Sequence, residues 1–72
     1  MTAPPPGIAD LFDGEELQLL RLVAEGLPSE AIARRMSLSE RTVRRRLRAL
    51  CDRLKMDAPV QVVVWAVRHG VL

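Results

Sequence analysis

Ser39-Glu40-Arg41-Thr42-Val43-Arg44-Arg45-Arg46-Leu47-Arg48-Ala49-Leu50-Cys51-Asp52-Arg53-Leu54 is the stretch on which the reading of this chain turns. Val43, Leu47, Leu50 and Leu54 recur at helical spacing and converge on one side of a helix. Six arginines, at 41, 44, 45, 46, 48 and 53, share the same segment without interrupting that stripe. One element therefore has an apolar face to bury and a cationic face to present. A positive face the width of a helix suits a groove lined with phosphates. Ser39 is placed to cap this helix, which is expected from about Glu40 to Leu54 or Lys55.

Projection at about 100° per residue assigns the arginines. Arg41, Arg45 and Arg48 fall opposite the core, with Arg44 on one shoulder and Arg46 on the other. Arg44, Arg45 and Arg48 are the candidates for reading base edges, because the guanidinium fork can donate to both O6 and N7 of guanine. Arg41 and Thr42, in the first turn beside free backbone N–H groups, are candidates for phosphate contact. Arg46, Arg53 and Lys55 join them as phosphate candidates. Arg34 and Arg35, further upstream, are weaker ones. Asp52 lies one turn past Arg48 on the same side and would repel phosphates, so only the first two to three turns are expected to enter a groove.

A three-residue break at Ser37-Leu38-Ser39 separates this helix from a short one upstream. There Ser29 is the expected cap and Ile32, Ala33 and Met36 point inward. A short helix, a tight turn and a longer helix make a helix-turn-helix. Glycine would suit the turn better than Ser37, because it adopts a left-handed backbone at no steric cost. Further upstream, Asp13 reads as an N-cap with Glu15 and Glu16 in the first turn. Leu19, Leu20, Val23 and Ala24 follow at helical spacing, and Gly26 ends the helix. Glu16 is either a flank residue or the partner of an arginine from elsewhere in the chain.

Downstream of Ala58-Pro59, the run from Val60 to His69 holds five valines within eight residues, a strand-like composition. No second strand exists to pair with it, and Pro59 and Gly70 bracket a helix. Val60, Val63, Val64 and Val67 are expected to pack on the core. Val62, Trp65, Ala66 and His69 would then form an exposed apolar patch and a homodimer interface. The alternative folds Trp65 back over the first helix of its own subunit.

Seventy-two residues allow one small core. Residues 1–11, with three consecutive prolines, read as a flexible arm or linker, and residues 12–72 as one all-α domain of four helices. Residues 1–40 carry three arginines against seven acids, a balance of −4. Residues 41–72 carry seven arginines and one lysine against two aspartates, a balance of +6. Concentrated positive charge favours double-stranded DNA as the partner. The lone Cys51 lies in the apolar arc and reads as a core thiol. With one cysteine, one histidine and no glycine-rich phosphate loop, neither an enzyme nor a metal or cofactor site is expected. No apolar run is long enough to span a bilayer, so the expectation is a cytoplasmic protein, associated with the nucleoid and not with a membrane.

Leu20-Arg-Leu-Val-Ala-Glu-Gly-Leu27, Ile32-Ala-Arg-Arg-Met36, Leu38-Ser-Glu-Arg-Thr-Val43 and the series Leu47, Leu50, Leu54 follow one another in an order and spacing that resemble a known family. This is the LuxR-type (GerE-type) helix-turn-helix of bacterial transcription regulators, and the likeness runs from about Phe12 to Leu72. The resemblance implies a four-helix domain, the third helix in the major groove and dimerisation through the fourth. It places base contacts on Arg44, Arg45 and Arg48 and a phosphate-contacting hydroxyl on Thr42. The chain departs from the family pattern at Glu30, where a basic residue is usual, at Arg45 and Arg46, and at Lys55, where glycine is usual. The expected function is a sequence-specific transcription regulator, either stand-alone or an effector domain, with RNA polymerase as a further partner. Rival readings are a sigma-region-4-like promoter-recognition module and a helical protein-interaction domain.

Overall fold

The ends of each helix are set by local hydrogen-bond chemistry. The computed structural model describes residues 11–72. Residues 1–10, on which the proline-rich arm falls, lie outside the described residues. Four helices follow in order: α1 (Gly14–Ala24), α2 (Ser29–Met36), α3 (Glu40–Leu54) and α4 (Pro59–Arg68). The all-α class and the helical reading of the valine-rich run both hold.

Asp13 and Glu16 make a reciprocal cap at the start of α1. The Asp13 carboxylate accepts the Glu16 N–H at 2.8 Å, and the Glu16 carboxylate accepts the Asp13 N–H at 3.0 Å. At the other end, Gly26 has φ +84, and Leu27 N–H donates to the Leu22 carbonyl, closing the helix in a left-handed turn. Helix α2 departs from expectation at its start. Pro28 is the cap residue and Ser29 is already helical, with no side-chain capping bond. The Pro28 carbonyl accepts the Ile32 N–H at 3.0 Å, so the helix begins one residue earlier than a serine cap requires. Helix α4 has Pro59 at its first position, and the Gln61 side chain accepts the Asp57 N–H at 2.8 Å.

Helix α1 packs chiefly on α4 and α2 chiefly on α3, with α3 against α4 joining the two pairs. Leu19, Leu20, Ile32, Val43, Leu50 and Val62 are fully buried at their meeting point. Each contributes about 1.5–3 kcal/mol through lost apolar exposure. In α1 the inward set is Leu19, Leu20 and Leu22; Ala24, expected inward, is exposed. Phe12 is buried just ahead of α1, and Leu11 packs partly buried on the same core.

On α4 Val63 is buried and His69 exposed as expected, but Val62 and Ala66 exchange places with Val60, Val64 and Val67. Val62 and Ala66 have no exposure and Val63 is buried, whereas Val60, Val64 and Val67 are 60%, 45% and 55% exposed. Both arcs of this helix are apolar, so periodicity alone does not choose between them. The deciding features are shape and company. Ala66 and Val62 are small enough to seat α4 closely on its neighbours. Trp65 beside them meets the Phe12 ring edge-on at 6.1 Å. Gly70, at φ +72, turns the chain so that Val71 and Leu72 fold back against the core. Trp65 thus covers the start of α1 in its own subunit, and His69 stacks on it at 4.2 Å. Val62 and Ala66 cannot contribute to a dimer interface.

Candidate nucleic-acid interface

The α2–α3 turn presents α3 at a defined angle. Ser37 takes the left-handed conformation that glycine would adopt more easily, at φ 55 and ψ 41. Leu38 N–H then donates to the Ala33 carbonyl at 2.9 Å, and the Leu38 side chain drops onto the core. Ser39 starts α3: its hydroxyl accepts the Thr42 N–H at 3.0 Å and donates to the Thr42 hydroxyl at 2.8 Å. The Thr42 hydroxyl is thereby oriented and keeps its own proton to donate. Lys55 ends the helix in a second left-handed turn (φ 56), with Met56 N–H on the Cys51 carbonyl at 2.9 Å.

Burial along α3 follows the projection. Val43, Leu47, Leu50 and Cys51 are buried, Leu54 is half-buried, and Arg41, Arg44, Arg45, Arg48, Ala49 and Asp52 are exposed. No other helix among the described residues covers the outer side of this element. Arg41, Arg45 and Arg48 make no ion pair among the described residues. Arg44 is held by Glu40 one turn back at 2.9 Å, a pair exposed enough to contribute only a few tenths of a kcal/mol, about 0.3–0.5. Arg34 forms a similar exposed pair with Glu30 at 2.9 Å.

Arg46 and Arg53 differ from the others. Both lie on the shoulder of α3 that faces α1, where Arg46 pairs with Glu15 and Arg53 with Glu16. The Arg53 guanidinium also lies 6.0 Å from the centre of the Phe12 ring. Of the two readings open for Glu16, pairing with a distant arginine is the one realised. The Glu15 contact was not anticipated, although the opposed charges of the two halves of the chain were a signal for it.

On the other shoulder, Arg44 and Arg48 border a cleft of about 400 Å³ floored by Leu47 and Cys51, with Asp52 and Asp57 also lining it. Burial, followed by the nearby Asp52 carboxylate, pushes the Cys51 thiol above its ordinary pKa. Among the described residues, no three His, Cys, Asp or Glu side chains come together to hold a metal ion. No helix among them is long and apolar enough to cross a membrane.

The chain's sequence is similar to those of known proteins. The family described as "Bacterial regulatory proteins, luxR family" matches residues 14–66. The nitrate/nitrite response regulator protein NarL of Escherichia coli (strain K12) is 36% identical over 50 residues, covering 69% of this chain and 23% of NarL. In Bacillus subtilis (strain 168), the transcriptional regulatory protein YdfI is 36% identical over 58 residues, 81% of this chain and 27% of YdfI. A second Bacillus subtilis (strain 168) regulator, YxjL, is 32% identical over 65 residues, 90% of this chain and 30% of YxjL. The chain thus spans less than a third of the length of these relatives. No solved structure matches it. The four helices, the tight turn ahead of α3 and the matched span together make this chain a member of the LuxR family of bacterial regulatory proteins, with that family's helix-turn-helix DNA-binding domain.

Proposed function

We propose that the chain regulates transcription by seating α3 in the major groove of double-stranded DNA. Arg44, Arg45 and Arg48 read base edges, while Arg41, Thr42 and Lys55 hold phosphates. The observation that carries this reading is the uncovered outer face of α3, where Arg41, Arg45 and Arg48 stand exposed and without an acidic partner among the described residues. Adjacent like charges repel, and a polyanion relieves that repulsion. Thr42 supports a phosphate role because Ser39 fixes its hydroxyl beside the free N–H groups of the first turn. Residues 12–72 act as the DNA-binding domain, and a bacterial regulator of this kind works in the cytoplasm on the nucleoid.

We further propose that two copies meet through the outer side of α4, by a set of residues that keeps Trp65 and His69 and replaces Val62 and Ala66 with Val60, Val64 and Val67. Val60, Val64 and Val67 make an exposed apolar stripe, and Val60, Val64, Trp65 and His69 line a cleft of about 310 Å³. The subunit's longest dimension is 33 Å. A two-fold pair of such subunits is the right size to place two α3 helices about 34–36 Å apart, one turn of the duplex.

Selection of bound duplexes from a random pool tests both proposals. The expected product is a pair of inverted half-sites spaced by about one helical turn, each containing guanine. Failure to enrich any sequence would reject base reading. Enrichment of single, unpaired sites would reject the dimer.

A further inference from the structure

Arg46 and Arg53 are seven residues apart, two turns along one shoulder of α3, and each ends on a carboxylate from the first turn of α1. Of these carboxylates Glu16 is the more firmly held, while the Glu15 side chain is 46% exposed. One Glu16 oxygen accepts the Asp13 backbone N–H while the other pairs with Arg53, and the Glu16 side chain is only 22% exposed. Arg53 is additionally seated over the Phe12 ring. Glu16 of the cap and Glu15 beside it therefore place two negative charges against the DNA-facing helix.

We propose that Glu15 and Glu16 restrain the sequence-independent part of DNA affinity by engaging Arg46 and Arg53, so that these two arginines neutralise carboxylates of α1 and not phosphates. The inference rests on the DNA-binding reading above and specifies how many cations that reading can use. Sequence-independent affinity is set by the number of phosphates neutralised, and each one contributes about −0.9 to the slope of log K against log salt. Arg41, Arg45 and Arg48, which have no such partner among the described residues, are untouched by the restraint. Arg46 and Arg53, which the arginine pattern alone would count as phosphate contacts, drop out of the sum.

The test is a salt titration of binding to a random-sequence duplex, comparing the wild type with E15Q/E16Q. Glutamine at position 16 can still accept the Asp13 N–H, so the cap of α1 is retained. Freeing both arginines should steepen the slope by about 1.8, so that affinity falls about twelve-fold more between 50 and 200 mM salt than in the wild type. Adding R46Q/R53Q to that variant should return the slope to the wild-type value. R46Q/R53Q alone should leave it unchanged.

Two results would overturn the proposal. One is an unchanged or shallower slope in E15Q/E16Q with intact helical circular dichroism. The other is a slope about 1.8 shallower in R46Q/R53Q alone, which would mean the wild-type arginines already reach phosphates. The second variant decides the matter even if the first fails to fold. A wild type that binds no duplex at low salt would instead remove the DNA-binding reading itself.

Discussion

Replacing Lys55 by glycine should stabilise the domain. Lys55 sits at φ 56 and ψ 47. That conformation crowds the Cβ of an L-residue against its own carbonyl and costs roughly 1–2 kcal/mol. Glycine removes the crowding but adds freedom to the unfolded chain, which takes back about 0.5–1 kcal/mol. The expected net gain is therefore about 0.5–1 kcal/mol, because the turn's own bond, Met56 N–H to the Cys51 carbonyl, does not depend on the side chain. For a domain of this size that raises Tm by roughly 2–8 °C. The proper reference is Lys55→Ala, which removes the charge and keeps the Cβ. Thermal unfolding followed by far-UV circular dichroism should place K55G above both K55A and the wild type. Both variants should weaken DNA binding equally if Lys55 holds a phosphate. If K55A gained as much stability as K55G, relief of charge repulsion and not of backbone strain would be the cause, and the argument would fail.

Three further outcomes follow from burial and charge. Ala66 has no exposure and leaves no room for three more carbons, so Ala66→Leu should cost about 1–3 kcal/mol in denaturant unfolding. A cost below the scatter of surface substitutions would contradict the seating of α4. Val64→Glu places a charge on the outer face of α4 and should leave monomer stability nearly unchanged while abolishing dimers in sedimentation, with or without DNA. Persistent dimers would move the interface elsewhere. The folded-state pKa of Cys51 is raised, chiefly by burial, so the native state keeps the thiol proton at pH values where the unfolded chain releases it. Its contribution is complete below the ordinary value of 9.0 and is lost as pH rises through the folded value. Cys51→Ala should accordingly show a flatter decline of stability with pH above that point, and an identical decline would reject the effect.

The α2–turn–α3 unit was legible in the sequence because its signals are local and agree with one another. Ser39 caps, Val43, Leu47 and Leu50 repeat at helical spacing, and the break at Ser37-Leu38-Ser39 admits only a tight turn. The start of α1 was equally readable from Asp13 and the two glutamates after it. The inward face of α4 was not, because both of its arcs are apolar. The choice between them depends on Phe12, Val71 and Leu72, residues remote along the chain whose positions periodicity does not encode. Glu16 was legible as a possible partner for a distant arginine, but not that the arginine is Arg53, and the pairing of Arg46 with Glu15 was hidden. A helical wheel shows which shoulder a side chain occupies but not which neighbour stands beside it. At Ser37 and Lys55 the missing glycines signalled a departure. The structure shows that the turns form regardless, with the strain borne by the backbone.

On the proposed function, arginines on the open side of α3 distinguish one base sequence from another. Equilibrium binding of Arg48→Ala to a selected duplex and to a scrambled one of equal length and salt tests it most directly. A base-reading Arg48 predicts a loss of roughly 5- to 150-fold on the selected duplex, equivalent to about 1–3 kcal/mol, and a much smaller loss on the scrambled one. Equal losses on both duplexes would make Arg48 a phosphate contact and contradict the claim.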